Sequence, residues 1–351
     1  MSVHCRSARP FSLKSALLAT MLASATFQAH ADLVVLQYHH VDDSTPASTS
    51  TTVALFRDQL GMIEELGLDV VSLEPGTRNA LAGELDDTQQ IAITFDDAYE
   101  SVYRTAAPML EDKGYPYTVF VNTDAVGGRG YMTWDQLEEF QNDDSITIAN
   151  HSTDHNHMVQ RPDESNEAWR ERTRVSLDKA QSVLADRLNV ESAMFAYPYG
   201  EYSETLESML ADRGWYGFGQ QSGAIGKYSH RTRLPRFPMA TTYGQLDSLK
   251  TKLTSRALPV DAATLQDGVM DRNPPTLALR LPESLDPGRM TCFASGQGRI
   301  DFEVNNSTDV TLTAPKAFDS RRFRYNCTYP AGNGSFYWLS QQWLDLSQPE
   351  D

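Results

Sequence analysis

The sequence predicts an α/β protein built as a barrel-like arrangement of parallel strands and helices, followed by a small all-β domain. Three observations carry this. Short apolar runs alternate with amphipathic stretches from residue 33 to about residue 256, the pattern of β/α units around a mainly parallel sheet. The seven or so units suit a barrel better than a long open sheet. After about residue 258 the pattern changes to short alternating runs with turn residues between them, as in a small sandwich or barrel.

The elements follow in order. Leu33 to Tyr38 is a continuous apolar run, typical of a buried parallel strand, and it ends in His39 and His40. Thr52 caps a helix whose apolar face is Phe56, Leu60, Ile63 and Leu66, with Gly67 ending it. Asp69 to Leu73 reads as a strand, and residues 74–90, polar with two glycines, as an exposed connection. Ile91 to Phe95 is a strand running into Asp96 and Asp97; Tyr99 to Lys113 is a helix that Pro108 kinks or breaks. Tyr117 to Asn122 is a strand, followed by a glycine-rich loop, a short helix capped by Thr133, and the strand Ser145 to Asn150. Residues 163–189 form a long charged helix. Ala193 to Tyr197 and Tyr216 to Gln220 are strands around a helix from Ser203 to Arg213, and Thr241 to Arg256 is a last helix. In parallel barrels the active site sits at the C-terminal strand ends. His39, Asp96, Asp97, His151 and Tyr199 all fall there.

Bulk properties narrow the function. The 351 residues suffice for a large domain and a small one, and 40% hydrophobic residues supply a core. Mean hydropathy is −0.45, and no second long apolar run exists, which excludes a multi-span membrane protein. Net charge of −17 argues against nucleic acid and anionic lipid as partners. At the N-terminus, Arg6, Arg9 and Lys14 precede an apolar run from Ala16 to Phe27, and Ala29-His30-Ala31 is a cleavage site. Residues 1–31 are therefore expected to be a signal peptide, so the protein is exported, periplasmic or secreted, with no transmembrane segment after cleavage. In that oxidising compartment Cys292 and Cys327 are expected to pair.

The chemistry concentrates in two stretches. Asp96 and Asp97 end a fully apolar strand. Side chains alternate along a strand, so both carboxylates face one site only if the strand finishes there. One is then free to bind a metal and the other to take a proton. In His151-Ser-Thr-Asp-His155 the histidines are four apart, a spacing that chelates one ion, with His155 expected in the first helical turn after the strand. Two histidines and one aspartate with open positions suit Zn²⁺ and a hydrolytic water; Co²⁺, Ni²⁺ or Mn²⁺ are also compatible with this donor set.

Thr94-Phe-Asp-Asp97, His151-Ser-Thr-Asp-His155 and Tyr197-Pro-Tyr-Gly200, in this order, resemble the first three motifs of the polysaccharide deacetylase family, carbohydrate esterase family four. The resemblance covers roughly residues 33–240. It implies a distorted (β/α) barrel and metal-dependent removal of acetyl groups from N-acetylated sugars. It assigns Asp96 as catalytic base, Asp97, His151 and His155 as metal ligands, and the Tyr199 backbone N–H as oxyanion donor. Tyr197 and Pro198 join the candidate substrate-binding residues, as do Tyr131 and Trp134, whose rings are suited to stacking on sugars; core packing is the alternative for Trp134.

Two departures stand out. The family's third motif usually begins with an arginine that orients the catalytic aspartate; Ala196 stands there, and Arg236 is the candidate substitute. The late motif that supplies the acid histidine is not evident. The branch acting on biofilm poly-β-1,6-N-acetylglucosamine carries that histidine on the N-terminal strand, and Tyr38-His-His-Val41 resembles it. The acid is assigned to His39, with His40 as alternative. The expected organisation is a signal peptide (1–31), a deacetylase domain (32–258), a linker (259–273) and a small β-domain (274–351). The last, rich in aromatics, is a candidate carbohydrate-binding module, with a purely structural role as alternative. The expected function is an exported polysaccharide N-deacetylase, poly-β-1,6-N-acetylglucosamine-like glycans favoured. The alternatives are peptidoglycan, chitin oligomers or acetylated xylan as substrate, or a non-catalytic glycan-binding relic.

Overall fold

The computed structural model describes residues 1–2, 31–85 and 88–350. The leader expected over residues 1–31 lies, apart from its ends, outside the described residues. The first half of the chain runs β1 (Leu33–Tyr38), β2 (His40–Val41), β3 (Ser50–Thr51), α1 (Val53–Glu65), β4 (Asp69–Val70), α2 (Leu73–Ala82), β5 (Gln90–Asp96), α3 (Ala107–Glu111), β6 (Tyr117–Val121), α4 (Trp134–Gln141), β7 (Ile146–Asn150) and α5 (Asn166–Leu188). It continues through β8 (Met194–Ala196), α6 (Glu204–Asp212), β9 (Tyr216–Phe218), β10 (Ala224–Ile225), β11 (Phe237–Pro238) and α7 (Leu246–Leu253). Among the described residues no helix is long and apolar enough to cross a membrane.

The sheet is ordered β10-β1-β5-β6-β7-β8-β9, and the six strands from β1 to β9 in that order are parallel. Residues 231–238 then bridge its two edges. Leu234 exchanges backbone hydrogen bonds with Gly217 and Gly219 beside β9, while β11 pairs in parallel with β1. The sheet thereby curls into a distorted barrel.

Alternation along each strand sorts the side chains. One set faces the surrounding helices: Val34, Leu36, Ile91, Ile93, Val119 and Val121 pack against Phe56, Leu60, Ile63, Leu110, Leu137 and Leu249. The other set fills the interior: Leu33, Val35, Ala92, Phe120, Ala149, Met194, Ala196, Phe218 and Leu234. Two residues further along, the same inward columns turn polar: Gln37 after Val35, Asp96 after Thr94, Asn122 after Phe120, His151 after Ala149, Arg236 after Leu234. The barrel is apolar below and polar at the C-terminal strand ends.

One local expectation is corrected and one is met. Residues 74–90 are no exposed connection, because α2 occupies 73–82 and buries Leu73, Gly76, Thr77 and Ala80. Pro75 is tolerated because the first-turn N–H groups have no intrahelical partner. Gly76 is needed there, since a Cβ would lie 2.9 Å from Val71 and 3.4 Å from Leu33. The helix leading to Lys113 is broken as Pro108 demands: a π-helical turn at Val102–Ala106 precedes α3.

The remainder of the chain forms β12 (Arg256–Ala257), β13 (Thr276–Arg280), β14 (Thr291–Ala294), β15 (Gly298–Ile300), β16 (Phe302–Val304), β17 (Asp309–Thr313), β18 (Arg322–Gly332) and β19 (Ser335–Leu344). A five-stranded sheet, β12-β19-β18-β14-β15, faces a three-stranded one, β13-β17-β16. Residues 298–304 are divided at Asp301: β15 joins the five-stranded sheet and β16 the three-stranded one. Cys292 and Cys327 are register partners on β14 and β18 and form a disulfide. Tyr325, Tyr329 and Trp343 are buried in the sandwich core, and Trp338 packs edge-on against Phe237 of the barrel.

Candidate active site

Asp96 is the last residue of β5 and points inward, fully buried. Asp97 leaves the strand with φ of 73°, and Ala98 follows at 55°. This left-handed turn brings two consecutive carboxylates to one site. Five of the seven described non-glycine residues with positive φ lie here: Asp97, Ala98, Ser152, His155 and Tyr199. Such backbone costs about 1–3 kcal/mol each and persists where its surroundings enforce it.

Asp97, His151 and His155 each present a ligand atom, all within 4.8 Å of one another. His151 Nε2 lies 3.5 Å and His155 Nε2 3.3 Å from Asp97 Oδ1. His151 Nδ1 sits 2.7 Å from the Ala196 carbonyl, which can only accept, so that nitrogen carries the proton. Nε2 of the neutral ring is then an acceptor facing a carboxylate oxygen. Both atoms are buried without a hydrogen-bond partner. A divalent ion between them satisfies both at once, as would a proton on Nε2. Burial lowers the His151 pKa, but Asp97 and Asp96 outweigh it and raise it above the usual imidazole value, a further sign that the pocket favours positive charge. The donor set fits a divalent ion held by Asp97, His151 and His155.

His155 reaches the cluster from a loop, not from the helical turn expected. Residues 151–157 are non-helical. The Ser152 N–H donates to Asn150 Oδ1, the His155 N–H to Ser152 Oγ, and Thr153 Oγ1 to the Ser176 carbonyl of α5. These side-chain bonds replace helical ones and curl the loop back on the strand end.

Arg236 is fully buried and donates from Nη1 and Nη2 to the two oxygens of Asp96, at 2.7 and 2.8 Å. Its Nε donates to the Gly219 carbonyl and Nη1 also to Thr94 Oγ1. Gln37 Nε2 donates to Asp96 Oδ2 at 2.8 Å. Burial pushes the Asp96 pKa up, but Arg236, then His151, outweigh it and hold the carboxyl at about 2.

His39 is near enough for its charge to bear on Asp96, Asp97 and His155. His40 is turned aside; its ring stacks on Tyr99 at 3.6 Å, and Nδ1 lies 3.4 Å from Ser101 Oγ. Tyr99 in turn meets Tyr131 at 4.9 Å. Tyr99, Tyr131, Asn122, Asp124, Asp154 and His155 line a cleft of about 320 Å³ opening on Asp97. Trp134 is not among its walls: it packs against the outer core beneath Arg187. Tyr197 is buried with its hydroxyl on the Thr232 carbonyl, and Pro198 is buried beside it. The Tyr199 ring lies 4.7 Å from that of His155. Gln37 and Tyr99 were not singled out from the sequence. Gln37 shares the inward parity of Leu33 and Val35, a signal that the alternation contains; Tyr99 follows a left-handed turn that no residue type announces.

Residues 84–217 match the sequence model of the polysaccharide deacetylase family. The chain is 22% identical over 300 residues to a poly-beta-1,6-N-acetyl-D-glucosamine N-deacetylase of Escherichia coli (strain K12), covering 72% of this chain and 45% of that protein. It is 25% identical over 155 residues to a protein of the same name from Staphylococcus aureus (strain MSSA476), covering 42% and 53%. The chain thus spans about half the length of these relatives. Among solved structures, IcaB from Ammonifex degensii superposes with a TM-score of 0.55 at 24% identity, over 63% of this chain and 94% of that one. The BpsB deacetylase domain from Bordetella bronchiseptica gives 0.52 at 23% identity, over 60% and 96%. At such identities the likeness speaks to the fold.

Proposed function

We propose, for a chain that carries a polysaccharide deacetylase domain, that it hydrolyses acetamido groups of an N-acetylglucosamine-containing glycan. The observation that carries this is the buried face-to-face pair of acceptors, Asp97 Oδ1 and His151 Nε2, beside an Asp96 locked by Arg236. A divalent ion held by Asp97, His151 and His155, Zn²⁺ favoured, would polarise the acetyl carbonyl and acidify a water.

The chain's own residues do the rest. Asp96 stays ionised and accepts the proton of the attacking water. Arg236 and Gln37 fill three of its roughly four acceptor sites and leave one on Oδ1. The Tyr199 N–H donates to the oxyanion that develops on the carbonyl oxygen. His39 donates a proton to the leaving nitrogen as the C–N bond breaks, releasing acetate and a free amine. His40 supports the cleft wall. Tyr99 and Tyr131 offer ring faces to the sugar.

The poly-β-1,6-linked glycan is favoured because two relatives are named for it. Export is favoured by the basic, apolar and small-residue order of residues 1–31 and by the Cys292–Cys327 disulfide. Mass spectrometry of products from β-1,4 and β-1,6 N-acetylglucosamine oligomers tests the reading. Successive losses of one acetyl group from the β-1,6 series are expected. Reaction of the β-1,4 series alone overturns the linkage, and no reaction of either overturns the activity.

A further inference from the structure

A second buried network of charge joins the barrel to the β-domain. Glu201 follows the Tyr197-Pro-Tyr-Gly200 turn and is fully buried. Its Oε1 accepts from Arg321 Nε at 2.8 Å and Arg322 Nη1 at 2.9 Å; Oε2 accepts from Arg321 Nη2 at 3.1 Å and lies 2.9 Å from His157 Nδ1. Arg322 opens β18, and Arg321 immediately precedes it. From β19, Gln342 Nε2 donates to the Gly200 carbonyl at 2.6 Å. The His157 ring lies flat on that of Tyr199, centroids 3.9 Å apart, and the Arg322 guanidinium stands 5.3 Å from the same ring. His157 is two residues beyond His155.

The turn held in this way is strained. Tyr199 has φ of 57° and Gly200 of 70°. A Cβ on Gly200 would come within 2.6 Å of the Gln220 side chain. An isolated buried ion pair adds little net stability over a well-packed apolar replacement, so its worth lies in geometry. The aromatics of the β-domain are taken up by packing: Tyr325, Tyr329 and Trp343 fill its core, and Trp338 faces the barrel.

We infer that the β-domain is part of the catalytic scaffold: Arg321 and Gln342 are positioning residues that fix the Tyr199 turn and, through Glu201 and His157, the loop carrying His155. This rests on the proposed role of the Tyr199 N–H. Removing either contact frees the oxyanion donor to move, although neither Arg321 nor Gln342 lines the cleft or belongs to the ion cluster.

The test is steady-state acetate release from an N-acetylglucosamine oligomer by the full chain carrying Arg321→Ala, Arg321→Lys, Gln342→Ala or Leu312→Ala. Arg321→Ala and Gln342→Ala lower kcat roughly ten- to hundredfold, as a misplaced catalytic group does, at unchanged KM and unchanged ion stoichiometry. Arg321→Lys recovers part of the loss. Leu312→Ala, in the far sheet of the β-domain and buried, lowers the melting temperature yet keeps kcat. If Arg321→Ala does not fold, Gln342→Ala decides alone. Wild-type kcat in Gln342→Ala, or a kcat loss in Leu312→Ala matching its loss of stability, overturns the inference. Wild-type protein that releases no acetate from any oligomer overturns the proposed activity instead.

Discussion

Replacing Arg236 by alanine isolates the support of the candidate base. The guanidinium donates to both Asp96 oxygens, to the Gly219 carbonyl and to Thr94 Oγ1. Without it, a carboxylate that is 0% exposed keeps Gln37 alone as donor. Breaking a buried pair by removing one partner costs about 3–5 kcal/mol, mostly the desolvation of the charge left behind. That is a large share of the 5–15 kcal/mol or so that holds a typical domain folded. If the cost is the orphaned charge, removing the charge returns it. Arg236→Ala/Asp96→Asn is therefore expected to be more stable than Arg236→Ala alone, by roughly 2 kcal/mol of coupling. Urea unfolding followed by tryptophan fluorescence measures both variants and the Asp96→Asn single that closes the cycle. Arg236→Lys keeps the charge but cannot span both oxygens, and recovers less than half the loss. Acetate release falls at least about tenfold in Arg236→Ala, because Asp96 is no longer fixed. Stability within about 1 kcal/mol of wild type in Arg236→Ala, with no gain from Asp96→Asn, refutes the reasoning.

The ion site and the domain contact give two more predictions. Asp97→Asn or His151→Ala is expected to weaken zinc binding more than about a hundredfold by equilibrium dialysis, beyond what loss of an outer partner does. Wild type gains about 2.7 kcal/mol of stability when free zinc is a hundred times its Kd, and at the same zinc concentration these variants gain less than about 0.4 kcal/mol. Glu201 responds to acid. Burial alone would raise its pKa, but His157 and Arg321 hold it down from the ordinary 4.5 to about 2. A depressed carboxylate contributes stability above its unfolded-state pKa and loses it as pH falls, here on the order of 3 kcal/mol between pH 4.5 and pH 2. Near-UV circular dichroism in an acid titration should show the domain contact failing in that window for wild type. Glu201→Gln is expected to lack that slope.

The succession of strands and helices along the chain, the face of the first helix and the site stretches were legible because periodicity encodes them. The apolar runs before His39, Asp96 and His151 are strands, and their inward columns end in the polar groups of the site. Helix α2 was not legible: Pro75 and Gly76 read as loop punctuation, whereas the structure uses one in a first turn and the other for close approach to Leu33. The path of His155 was also hidden, since four-residue spacing suits a helix as well as a loop pinned by Ser152 and Ser176. Gln37 was readable in principle from strand parity. Glu201 and Arg321 lie 120 residues apart, and no local pattern announces that a β-domain holds the Tyr199 turn. Aromatics that composition offered to a sugar, Trp134 and Trp343 among them, went to packing.

In the proposed mechanism Asp96 takes a proton beside an ion that Asp97, His151 and His155 hold. The most direct measurement is acetate release from a β-1,6-linked N-acetylglucosamine oligomer by zinc-loaded wild type and zinc-loaded Asp96→Asn at matched ion content. The account predicts release by wild type and a loss of at least about a hundredfold in the variant, the scale of general-base catalysis, with zinc still bound. Equal rates at equal zinc content would contradict it.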